Sequence, residues 1–97
     1  MEFYKVWESI ESVLENKRNF TTLIDGKEFE ARRAINAVRI DSVTVTQPRV
    51  IGKEEFQKIW NIFKDLDDDK KYHPGNYSKN TVNASYILTI FAEIFNK

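Results

Sequence analysis

The apolar residues of this 97-residue chain change period twice, and that change limits the folds open to it more than any other feature. Phe3, Val6, Trp7, Ile10, Val13 and Leu14 recur at helical spacing, with Glu8, Glu11 and Glu15 opposite, so the first segment predicts an amphipathic helix. Asn16-Lys17-Arg18-Asn19 ends it. The period then drops to two around Asp25-Gly26, a dipeptide that supplies the positive φ values of a type I′ turn. Strands over 20–24 and 27–31 joined by a two-residue loop set Thr22 against Phe29 and Phe20 against Ala31. Phe20, Ile24, Phe29 and Ala31 then share one face, while Glu28, Glu30 and Arg32 share the other, as in a sheet buried on one side.

Val38-Arg39-Ile40 and Val43-Thr44-Val45 are further β-type runs around Asp41-Ser42, rich in branched side chains. Gln47-Pro48-Arg49 closes the second of them, because proline cannot donate to a central ladder. From Lys53 the helical period returns: Phe56, Ile59, Trp60, Phe63 and Leu66 line one face, behind Gly52 as cap and with Glu54 and Glu55 in the first turn. A long loop carries Asp67-Asp68-Asp69 and Pro74-Gly75. A last helix over about 81–95 bears Ala84, Ile87, Leu88, Phe91, Ile94 and Phe95, widened by Tyr86 and Ile90. So broad an apolar face implies two packing neighbours, or a homodimer through the last helix. The expected fold is a single α+β domain spanning residues 1–97, with an antiparallel sheet of three or four strands and three helices. The order is α-β-β-β-β-α-α.

Composition removes several classes of function. Fifteen basic residues balance fifteen acidic ones, so no global field draws the chain to a polyanion or an anionic bilayer. No cysteine is present, which excludes disulfides, thiolate nucleophiles and cysteine metal sites together, and fits a cytoplasmic location. No apolar run approaches the ~20 residues of a membrane span, and Met1-Glu2-Phe3-Tyr4-Lys5 lacks the pattern of a signal peptide.

Candidate chemistry is sparse. Asp65, Asp67 and Asp69 begin like a calcium loop, but Lys70 stands where the turn needs glycine and Asn76 where it needs glutamate. His73 is the single histidine, too few for a zinc site without a set of carboxylates. Asp25, Glu28 and Glu30 suggest a metal-dependent nuclease, yet the first occupies a turn and the other two the solvent side of a hairpin. The three glycines form no phosphate loop. No catalytic residue, cofactor or metal site is expected.

Binding is the stronger expectation. All five arginines (Arg18, Arg32, Arg33, Arg39 and Arg49) fall between residues 17 and 53. With Lys17, Lys27 and Lys53 they give eight basic residues against Asp25, Glu28, Glu30 and Asp41, a local charge of +4. Arginine's planar fork of donors suits phosphates and interface carboxylates. The polar run Asn76-Tyr77-Ser78-Lys79-Asn80-Thr81-Val82-Asn83-Ala84-Ser85-Tyr86 leads straight into the last helix. Asn80, Thr81 or Asn83 can cap that helix, and Lys79, Ser85 and Tyr86 could join an anion site at its start. A helix-turn-helix fits poorly, because the loop between the last two helices is too long.

Ile40-Asp41-Ser42-Val43-Thr44-Val45, Ile51-Gly52-Lys53-Glu54-Glu55-Phe56 and Asn83-Ala84-Ser85-Tyr86-Ile87 resemble a recurring prokaryotic module. It is a small strand-then-helix accessory domain found in uncharacterised and restriction- or defence-associated proteins. The resemblance covers about half the chain and carries over no catalytic residue. It implies a non-catalytic module near nucleic acid. Arg32, Arg33, Arg39 and Arg49 would then position phosphates, with Lys53, Lys79, Ser85 and Tyr86 as further contacts. The alternatives are a protein-interaction module or phage-encoded inhibitor and, less favoured, the nuclease.

Overall fold

A computed structural model of the chain describes residues 1–42 and 47–95. The elements run α1 (Phe3–Val13), β1 (Arg18–Thr21), β2 (Glu28–Ala34), β3 (Ala37–Ser42), β4 (Arg49–Gly52), α2 (Lys53–Phe63), a 3-10 turn (Pro74–Tyr77) and α3 (Ala84–Ile94). This is the expected α+β order. The strands form one antiparallel meander, β1-β2-β3-β4.

Alternation along the strands decides what each face does. Phe20, Phe29, Ala31, Val38, Ile40 and Ile51 turn to one side and join Val6, Ile10, Phe56, Ile59, Ile87 and Phe91 in a single core. All three helices lie on that side, so the opposite face meets solvent. α3 packs against both α1 and α2. Phe91 packs against Phe56, Trp60, Phe63 and Phe95, while Tyr86 meets Phe29 edge-on at 4.9 Å between centroids. The breadth of its apolar face is therefore used inside the protomer, with Ile87 through Ala92 all buried.

The first hairpin differs from expectation by two residues. Phe20 pairs with Phe29 and Thr21 with Glu28, leaving a four-residue loop closed by Thr22. The Thr22 N–H donates to the Lys27 carbonyl (2.8 Å) and the Lys27 N–H donates to Thr22 Oγ1 (2.8 Å). That hydroxyl replaces the tight two-residue connection, and Ile24, expected in the core, sits in the loop and is 58% exposed. A second reversal at Ala34-Ile35-Asn36-Ala37 was not signalled by any Gly-containing dipeptide. Asn36 takes φ 52°, which asparagine tolerates, and its carbonyl accepts the Lys53 N–H (2.9 Å) at the start of α2.

The fourth strand is Arg49–Gly52, beyond the proline that was expected to end it. Pro48 instead precedes the first residue of an edge strand, where a missing donor is harmless. The run expected at 43–45 lies outside the described residues. Gly52 does stand at the N-cap of α2. α3 begins at Ala84 rather than 81, because residues 74–81 are spent ordering the long loop. There the Asn76 amide donates to the Lys70 carbonyl (2.8 Å) and the Tyr77 hydroxyl to the Lys71 carbonyl (2.7 Å).

Candidate functional site

The residues expected to bind do not form one surface. Arg32 and Arg39 lie directly opposite each other on the open face of the sheet. Arg33 alternates to the other side, at the far end of β2, where it borders a hollow with Glu11, Ile35 and Asn36. Lys53 opens α2 with its ammonium 6.0 Å from the Trp7 ring centroid. Lys79 is exposed in the loop before α3. Ser85 is half-buried in the first turn of α3, and its carbonyl accepts the Thr89 hydroxyl (2.7 Å).

Arg49 and Tyr86 do come together, on the helical side of β4. The guanidinium lies 5.7 Å from the Tyr86 ring centroid, and its Nη1 donates to Asn83 Oδ1 (2.9 Å). Asn83 Nδ2 in turn donates to Glu55 Oε2 (2.9 Å). The Thr81 hydroxyl donates to the same carboxylate oxygen, while accepting the Asn83 N–H (2.9 Å). Asn83 thus stands at the N-cap of α3 but makes no side-chain cap bond. Its neutral amide relays between a guanidinium and a carboxylate. The circuit ties the starts of α2 and α3 to β4.

The rest of the polar run is also structural in large part. Tyr77 is fully buried, and burial, followed by the neighbouring Tyr72, pushes its phenol up to about 12. Burial and then the Asp68 charge raise Tyr72 as well.

The open face has a different character. Its cross-strand neighbours match like with like: Glu30 stands opposite Asp41, and Arg32 opposite Arg39. Opposite charges across a strand pair stabilise a sheet and like charges destabilise it, so this arrangement runs against local preference. Relief is partial. Arg39 Nε reaches along its own strand to Asp41 Oδ2 (3.2 Å), and Lys17 reaches Glu30 (3.6 Å). Arg18, by contrast, turns to the helical side and meets Glu93 (3.4 Å). The acidic end of the face, with Glu28, Glu30, Asp41, Asn19 and Thr21, borders a concavity of about 540 Å³. Val50, directly opposite Arg39 on β4, adds an apolar side chain that is 66% exposed.

Among the described residues no three His, Asp or Glu side chains converge to hold a metal ion, so the nuclease reading gains no ligand set. No helix among them is long and apolar enough to cross a membrane. Glu55 was expected only to favour its own helix dipole. Its bond to Asn83, 28 positions away, leaves no local signal. The opposed charge rows were equally hidden, since they depend on the register of a hairpin whose turn carries no strong motif. Compared with protein-family models, curated proteins and solved structures, the chain matches none of them.

Proposed function

We propose that this chain is a non-catalytic protein-binding module whose contact surface is the open face of its sheet. One observation carries the reading: that face is segregated into an acidic row (Glu30 and Asp41) and a basic row (Arg32 and Arg39). A place where a chain violates a local rule with only partial internal compensation is where function is expected. A protein surface bearing the complementary pair of rows would relieve both conflicts at once. A polyanion would relieve only one and meet repulsion from the other, with Glu28 adding to it. The resemblance of residues 40–45, 51–56 and 83–87 to defence-associated modules favours a partner from that setting, which includes the inhibitor role.

The test is a pair of charge reversals, R32E/R39E and E30K/D41K, on a face where substitutions leave the core untouched. Partners captured with the wild-type chain are purified and titrated calorimetrically against all three proteins. Each reversal should weaken the true partner at least about tenfold, since close interfacial charge pairs couple by roughly 1.5 kcal/mol or more. A partner bound equally by all three would move the contact surface elsewhere.

A second reading, nucleic-acid contact, is favoured by one feature, the cross-strand pair of Arg32 and Arg39. Two neutralised phosphates predict a salt slope near −2 in log–log form, about −0.9 per phosphate. Fluorescence anisotropy with single- and double-stranded oligonucleotides measures it. Salt-sensitive binding lost in an Arg32→Ala/Arg39→Ala chain would replace the protein-binding reading.

A further inference from the structure

We infer that the open sheet face is self-complementary and that its occupant is a second copy of this chain, an inference that rests on the protein-binding reading above. The geometry supplies the symmetry. Along β2, Glu30 and Arg32 lie on either side of Ala31; along β3, Asp41 and Arg39 lie on either side of Ile40, which pairs with Ala31. The acidic and basic rows are thus about 7 Å apart, two residues of a strand. A two-fold axis in the plane of the interface, running across the strands over the Ala31–Ile40 pair, turns one sheet onto another and exchanges the rows. Arg32 then faces the partner's Glu30, and Arg39 faces the partner's Asp41. Each strand meets its own counterpart, so the contact closes as an isologous dimer and cannot propagate.

The same operation converts the unfavourable neighbours of one protomer into favourable ones. Arg39 and Asp41, already 3.2 Å apart in one chain, become half of a four-member network. Lys17 and Glu30 sit at its side, and Val50 adds apolar area at the β4 edge. The small size of the face sets the strength. Four short strands, about 4.8 Å apart and about five residues long, offer roughly 300 Å² per copy, well below the ~800 Å² per partner of a stable complex. The dimer is therefore weak, concentration-dependent and salt-sensitive.

The experiment is a charge-swap mixture of full-length chains. At about 1 mM protein and about 0.02 M salt, where screening is weak, the wild-type chain should show dimer by analytical ultracentrifugation and by slowed NMR tumbling. Raising salt to about 0.5 M should weaken association at least about tenfold. R32E/R39E makes both rows acidic and E30K/D41K makes both rows basic, so each should be monomeric alone, and their equimolar mixture should associate again. Matching urea midpoints would show that both variants fold. The inference is overturned if the wild-type chain stays monomeric, if either variant self-associates as well as wild type, or if the mixture behaves as two monomers. A monomeric chain whose captured partner still loses affinity on the reversals would sink self-association alone and leave the docking face standing. Loss of both would remove the docking face too.

Discussion

The two faces of this sheet are made by the same strands and obey different rules. On the covered face Phe29, Ala31, Val38, Ile40 and Ile51 are buried against the helices, and their neighbours agree with one another. On the open face Glu30 opposes Asp41 and Arg32 opposes Arg39. Nothing about stability asks for that. A protomer selected for stability alone would alternate the charges. The covered face explains why the chain folds. The open face therefore looks outward for its explanation.

The comparison can be broken most severely on the covered side. Phe91→Ala removes a fully buried ring that contacts four other aromatics, and should cost about 3–5 kcal/mol, a large share of the stability of a domain this size. Urea unfolding followed by tryptophan fluorescence measures it, and a loss under about 1 kcal/mol would mean the site collapses to fill the space.

The junction of β4, α2 and α3 comes next. Asn83→Ala removes the bonds to both Arg49 and Glu55, leaving Glu55 to Thr81 and Arg49 to the Tyr86 ring, a loss of about 1–3 kcal/mol in the same assay. If the circuit instead serves a ligand, the variant will be nearly as stable as wild type.

Tyr77→Phe should cost about 1 kcal/mol by deleting the hydroxyl that donates to Lys71. It also tests a pH effect. Burial raises the folded phenol above its unfolded value of 10.0, to about 12, so its contribution is fully present below pH 10 and is lost as pH rises toward 12. Absorbance titration at alkaline pH should show a late-ionising tyrosine that the variant lacks, together with a shallower alkaline loss of stability.

The smallest stability effect belongs to the open face. Arg32→Ala with Arg39→Ala should shift unfolding by no more than about 0.5 kcal/mol, and relief of like-charge repulsion makes slight stabilisation the expected sign. A clearly destabilised double variant would mean the arginines serve the fold, and the contrast between the faces would dissolve.

Much of the fold was legible because its signals are local. The stripe of Val6, Trp7 and Ile10, and that of Phe56, Ile59 and Phe63, specify helices and their buried sides without reference to anything distant. The candidate site was far less legible. Arg49 and Asn83 are 34 positions apart, and no residue between them announces the bond. The polar run before α3 looked like recognition chemistry, yet Tyr77 is core and Asn83 is a relay. An amide or a phenol suits water, a cap or a buried bond equally well until its neighbours are fixed.

The first hairpin shows where the division falls. Alternation set Phe20, Ile24, Phe29 and Ala31 inward and Glu28, Glu30 and Arg32 outward, and the structure keeps those faces for all but Ile24, which falls in the loop. Tertiary pairing decided the register, two residues away from the one the Asp25-Gly26 turn implied. Side chains alternate with a period of two, so a two-residue slip preserves every face and changes every partner. Which face each paired residue takes was therefore written locally in the chain. Which charges oppose each other, and hence what the open face can bind, was settled only when the strands met.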